Sequence, residues 1–300
     1  MRHPVSHPAP LHELTTVFPR LDAPLVLAHG LCGFRRLGFG PIALTDYFRA
    51  LPGLIRAAGN TVVLPKVHPT GQIERRAAKL ERDLERMLPA DQPFHFIGHS
   101  MGGLDARELL TQPRWRKRFL SLTCIATPHL GTTLADLGLR KLGMIHRAVT
   151  AVGWDAGGFQ AITRDQAARF HDRHPQPDDL PCFSIPADPP EEDVLFWLKP
   201  WYRILLETDG PNDGLVPARS AAAFGTILPA WPIDHLRQMN WHTGRLGQSR
   251  LSRQVLSHYA HLLHHLANLS QSRLVEPVEI LPELDDALLG QPLVTEPLTA

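Results

Sequence analysis

"FHFIGHSMGGLDARELL", residues 94–110, decides how this chain is read. An apolar run stops at Gly98, a lone serine stands at Ser100, and two more glycines precede a helix-like pattern. Gly98-His99-Ser100-Met101-Gly102 has the form G-x-S-x-G. A strand that runs directly into a helix must turn sharply, and glycines two before and two after remove the Cβ atoms that would clash. The serine is then held in a strained conformation, with its hydroxyl projecting above the sheet at a helix N-terminus. There the unpaired N–H groups and the helix dipole favour developing negative charge. The pentapeptide alone is a weak signal, since a Gly/Ser turn would look the same; its strand-before, helix-after context favours a nucleophile.

Outward from this stretch the chain alternates. "PLVLAHG" (24–30), "NTVVLP" (60–65), "PFHFIGHS" (93–100), "FLSLTCIATP" (119–128) and "LPCFSIPAD" (180–188) are short, almost wholly apolar runs. Such runs fit parallel strands covered on both faces. Between the second and third lies "QIERRAAKLERDLERML" (72–88), in which Ile73, Ala77, Leu80, Leu84 and Leu88 recur at three- and four-residue spacing. That is an amphipathic helix with one face on a sheet. The alternation predicts an α/β fold with a mostly parallel central sheet and helices on both faces.

The expected organisation is an N-terminal extension over 1–24, rich in Pro and His and lying on the surface, one domain over 25–270, and an acidic, proline-rich tail over 271–300 with little packing. Residues 132–180 and 189–207 break the strand–helix rhythm with apolar and aromatic side chains. They are candidate cap or lid segments, although ordinary core helices would show the same periodicity. The 300 residues include 43% hydrophobic side chains and carry a net charge of +1, so a sizeable core is possible and no strong field points to nucleic acid. The 17 histidines are scattered rather than grouped at metal-ligand spacing. Cys32, Cys124 and Cys182 form neither a disulfide framework nor a zinc pattern. The N-terminus shows no signal-peptide h-region, and no run reaches the ~18 apolar residues of a membrane span. A cytoplasmic location is expected over a secreted one.

A nucleophilic serine needs a base, and the base needs an orienting carboxylate, in the chain order Ser, acid, His. "LLETDGPNDGLVPARSA" offers Asp209 and Asp213 in a Gly/Pro/Asn loop. Asp213 could reach an imidazole, or simply bond its own turn. His235, in "AWPIDHLRQMNW", closely follows the possible strand "AFGTILPAW", where a site histidine belongs in an open parallel sheet. His242 competes, and His258, His261, His264 and His265 sit in a C-terminal helix pattern over 251–269. Oxyanion donors are expected at the backbone N–H of Met101, directly after the serine, and of Leu31, in the loop His29-Gly30-Leu31-Cys32-Gly33 after the first strand. Cys32 beside that loop fits a packing role better than a nucleophile.

Together "VLAHGLCGF", "FIGHSMGG", "IATPHLGT", "NDGLVP" and "DHLRQMN" resemble the bacterial triacylglycerol lipases and esterases of the α/β-hydrolase superfamily, the group typified by Pseudomonas and Burkholderia lipases. The resemblance runs from about Leu25 to Leu269. It implies the α/β-hydrolase fold with a helical cap, Ser100, Asp213 and His235 as catalytic residues, Leu31 and Met101 as oxyanion donors, and a structural His29. It implies a serine carboxylic-ester hydrolase acting on medium- to long-chain acylglycerols through an acyl-serine, with transient contact to a lipid interface. Short-chain carboxylesterase, acyltransferase, thioesterase or a non-catalytic binding protein are the alternatives on this scaffold. Two departures stand out. The family's calcium site uses an aspartate two residues after the catalytic histidine, where this chain has Arg237. A cation cannot ligate calcium, so no metal or other cofactor is expected; Arg237 would instead pair with Asp193. The family's disulfide also lacks a partner for Cys182.

Overall fold

The computed structural model describes residues 17–31, 36–39, 42–141, 157–241 and 250–272. Cys32, His242, the 142–156 part of the first candidate cap and the tail from 273 on lie outside the described residues.

The five apolar runs form strands β1 (Leu25–Ala28), β4 (Val62–Val63), β5 (Phe94–His99), β6 (Phe119–Ile125) and β7 (Cys182–Ile185), numbered in chain order with β2 (Arg36–Phe39), β3 (Ile42–Asp46) and β8 (Thr226–Ile227). A six-stranded sheet has the order β4-β1-β5-β6-β7-β8. β1 pairs with β5, β5 with β6, β6 with β7 and β7 with β8, all parallel. Every residue of β1 and β5 is buried, as two covered faces require. Helices connect the strands, among them Ile73–Met87 before β5, Met101–Leu109 after it, and Thr133–Lys141, Gly157–Ala161 and Arg164–Arg173 between β6 and β7. The sequence reading missed β2 and β3, which pair antiparallel as a separate hairpin. "RLGF" and "IALTD" are too short for alternation to register.

The chain divides into two compact units. The larger holds Ala23–Tyr47 and Val63–His235. Its core packs Leu80 and Leu84 of the Ile73–Met87 helix, Phe94 and Phe96 of β5, Leu122 of β6 and Trp115, all at most 2% exposed. Each such fully buried side chain contributes about 1.5–3 kcal/mol of hydrophobic stabilisation. The second candidate cap is divided by the same logic. Val194, Leu195, Leu198, Tyr202 and Leu205 are buried, while Phe196, Trp197 and Trp201 are exposed. The apolar content of 189–207 is therefore split between core and solvent, both in the turn before the Lys199–Thr208 helix and on that helix, where Tyr202 and Leu205 are buried and Trp201 is exposed.

The smaller unit contains, among described residues, 17–22, Phe48–Val62 and the chain from Leu236 on. The N-terminal extension was expected to lie on the surface, but within 17–22 Phe18 and Leu21 are buried. Asn60 holds this segment: its Oδ1 accepts from Leu21 N at 2.8 Å and its Nδ2 donates to Pro19 O at 2.9 Å. The C-terminal helix runs from Arg250 to Ser272 and buries Val255, Leu256, Tyr259, Leu262, Leu263 and Leu266 at helical spacing.

Candidate active site

β5 ends at His99, the helix begins at Met101, and Ser100 makes the whole turn with φ 55° and ψ −130°. A non-glycine residue there costs on the order of 1–3 kcal/mol and persists only when its surroundings over-determine it. They do so here. Ser100 N donates to Ile125 O at 2.8 Å, and Thr127 Oγ1 donates to Ser100 O at 2.8 Å. The flanking glycines are needed for close approach: a Cβ on Gly98 would lie 2.6 Å from Gly103 N, and one on Gly102 would lie 2.7 Å from Ala28 O. The sharp turn thus exists because two backbones touch where side chains are missing.

Asp213 and His235 meet directly. His235 Nδ1 donates to Asp213 Oδ2 at 2.7 Å, and the two backbones are tied by His235 N to Asp213 O at 2.9 Å. Asp213 is fully buried, and its other oxygen accepts from Leu215 N at 3.0 Å and Val216 N at 2.7 Å. Both readings of this aspartate hold together, since one oxygen closes its own turn and the other fixes an imidazole. Asp209 does not compete, because it is ion-paired with Arg219. On the serine side, the ring of His99 packs 4.7 Å from the ring of His235. The residue before the candidate nucleophile therefore supports the candidate base.

The first loop closes against the same turn. A Cβ on Gly30 would lie 2.6 Å from Ser100 Cβ, so only glycine lets the loop come this near. Leu31 follows in the turn, and its side chain packs against a cluster of Ile73, Met101, Leu104 and Phe170 with Ala161 and Ile162. Both candidate oxyanion residues thus root their side chains in one apolar cluster, leaving backbone amides as the polar groups.

Arg76 and Asp105 escaped the sequence reading. Arg76 Nε and Nη2 engage the Asp105 carboxylate at 2.7–3.1 Å with neither side chain exposed. Arg76 Nη2 also donates to His29 O at 3.0 Å and Nη1 to His68 O at 2.6 Å. A bidentate pair below the first loop fixes that loop's backbone, and removing one partner would strand the other's buried charge at a cost of about 3–5 kcal/mol. The clue was available: Arg76 sits on the apolar stripe three residues after Ile73 and four before Leu80. His29 is bonded at both ring nitrogens. Its Nδ1 donates to Gly30 O at 3.0 Å and its Nε2 accepts from Val67 N at 3.4 Å. Burial, with Arg76 nearby, holds its pKa down to about 4.

Burial also lowers His258 to about 4 and pushes His129 well below the ordinary value. Between pH 6.5 and about 4 the unfolded chain takes up protons at these histidines while the folded chain does not. Stability is therefore complete above pH 6.5 and declines as pH falls toward 4, by up to ~1.4 kcal/mol per pH unit for each such histidine. Thermal melts across pH 7.5–4 should show a falling midpoint; a flat midpoint down to pH 4.5 would contradict the buried neutral imidazoles.

Arg237 opens a single 3-10 turn, Arg237–Met239, and Asp193 ends another, Glu191–Asp193. A guanidinium offers a calcium ion no donor atom, so Arg237 cannot act as the ligand that the sequence resemblance places at its position. Among the described residues no group of three or more His, Cys, Asp or Glu side chains is placed to hold a metal.

No protein-family model matches the chain. It is 28% identical over 207 residues to triacylglycerol lipase 2 of Saccharomyces cerevisiae, covering 65% of this chain and 63% of the yeast protein. It is 31% identical over 157 residues to a triacylglycerol lipase of Vibrio cholerae, covering 51% of this chain and 47% of that protein. The chain thus spans less than two thirds of the length of these two relatives. The crystal structure of Staphylococcus hyicus lipase superposes with a TM-score of 0.68 at 16% identity, over 86% of this chain and 98% of that one.

Proposed function

We propose that this chain, which has the α/β-hydrolase fold, is a lipase-like serine hydrolase of carboxylic esters. The observation that carries the reading is one constellation at the end of β5. A strained serine sits at a helix N-terminus, and the histidine before it packs on a second histidine whose Nδ1 is bonded to a buried aspartate. The named lipase relatives add to it.

In this reaction His235 Nε2 removes the proton from Ser100 Oγ as that oxygen attacks the ester carbonyl. The carbonyl π electrons move onto oxygen, and the Leu31 and Met101 amides stabilise the oxyanion. Collapse expels the alkoxide, which takes the proton from the imidazolium and leaves as alcohol. Water then attacks the acyl-serine with His235 again as base, releasing the carboxylic acid and restoring Ser100. Asp213 holds the productive imidazole tautomer and stabilises its charged form. Medium- to long-chain acylglycerols are the proposed substrates, with transient contact to a lipid interface. Short-chain esterase, acyl transfer and non-catalytic binding are the competing outcomes. The proposed site needs no metal, because the direct backbone and side-chain bonds between His235 and Asp213 tether the base.

One assay series tests the reading. A fluorophosphonate probe should label the folded protein stoichiometrically. Rates on p-nitrophenyl esters should rise or hold from short to medium and long chains, and EDTA should leave them unchanged. Absence of labelling would favour a binding protein. A sharp fall beyond short chains would make it a short-chain esterase. Loss in EDTA restored by calcium would restore the metal.

A further inference from the structure

One side chain near the site belongs to none of the roles above. Tyr47 stands just past β3, is buried at 7% exposure, and belongs to the same compact unit as Ser100 and His235. Its hydroxyl oxygen accepts from Gly30 N at 2.9 Å and lies 2.8 Å from His99 Nδ1. Gly30 directly precedes Leu31, and His99 directly precedes Ser100 and packs on His235. We infer that Tyr47 is a positioning residue for the ester-cleaving reaction, its phenol clamping the oxyanion loop to the nucleophile turn. This rests on the serine-hydrolase reading.

The geometry leaves little room for another explanation of the hydroxyl. A ring at this depth would pack equally well as phenylalanine against the ring of His29, whose centroid lies 5.4 Å away. The oxygen is what joins two backbone segments distant in sequence. A Cβ on Gly30 would meet Tyr47 Oη at 3.0 Å as well as Ser100 Cβ at 2.6 Å. The loop, the phenol and the serine therefore meet at one point, and a shift of the Gly30 peptide carries Leu31 N–H with it. An oxyanion donor acts only within a narrow distance of the developing charge, so loss of the clamp should weaken the transition state and leave substrate binding nearly unchanged.

Tyr47→Phe removes the oxygen alone. With an ordinary ester, kcat should fall roughly tenfold while KM changes less than twofold. A thionoester of the same acyl chain places sulfur where the oxyanion would form and draws little from the donors; its kcat should fall less than twofold. The ratio of oxo-ester to thionoester rates should thus drop by about five- to tenfold. A loss of packing alone would lower both rates together. Should the variant fold poorly, 3-fluorotyrosine in place of the chain's three tyrosines keeps the ring and weakens the phenol oxygen as an acceptor, and the same selective fall is expected. Equal loss on both esters, or no loss on either, overturns the assignment while leaving the serine-hydrolase reading intact. No hydrolysis or labelling by the unaltered protein would instead remove that reading.

Discussion

Ser100→Ala should lower kcat for ester hydrolysis by roughly 10⁴-fold or more and abolish fluorophosphonate labelling. The expectation is large because the substitution removes the attacking oxygen itself. Ser100 is the one hydroxyl on the turn between β5 and the helix that starts at Met101. The control is favourable, since alanine has the same backbone preferences as serine at positive φ. The bonds that hold the turn use Ser100 N and Ser100 O rather than Oγ. The melting temperature should therefore stay close to that of the unaltered protein. Hydrolysis at the original rate by a folded Ser100→Ala protein would end the proposal.

The second large effect is expected at Asp213. Asp213→Asn preserves size and removes one charge. The turn amides of Leu215 and Val216 both donate to Asp213 Oδ1, so the asparagine's carbonyl oxygen is held on that side. Its NH₂ group then faces His235 Nδ1. An N–H donor there requires Nδ1 to accept, which places the imidazole proton on Nε2, the nitrogen that must take the proton from Ser100. The base is present but in the wrong tautomer, and kcat should fall by about 10³–10⁴. KM should change little, because nothing that touches substrate has moved. Circular dichroism and thermal melting should show a retained fold. An asparagine variant with more than a tenth of the original kcat would show that Asp213 does not orient the base.

Much of this site is legible in the sequence. The five apolar runs became strands because a parallel sheet buried on both faces admits few other side chains. The Ile73–Met87 helix was readable from its stripe. Ser100 was identifiable because glycines at both required offsets leave a strand-to-helix turn as the natural conformation. His235 was distinguished by following the last strand of the sheet. Less was legible where one composition fits two environments. Residues 189–207 contain buried Leu198 and Leu205 beside exposed Trp197 and Trp201, and periodicity alone does not say which aromatic faces water. The hairpin of β2 and β3 was missed because four- and five-residue strands carry too little pattern.

Local sequence determined the elements, the nucleophile turn and the residue types required around it, because propensity, alternation and glycine spacing act over a few neighbouring positions. Tertiary structure decided which carboxylate bonds His235. Asp209 and Asp213 are equal as residues, and only packing sends one to Arg219 and the other to His235. It also decided that Arg76 would brace the first loop through Asp105, and that the phenol of Tyr47 would meet Gly30 and His99. Those contacts join segments 17 to 52 residues apart in the chain. A hydrogen bond fixes its partners to within tenths of an ångström, and chains this far apart in sequence reach that precision only after the sheet has brought them together.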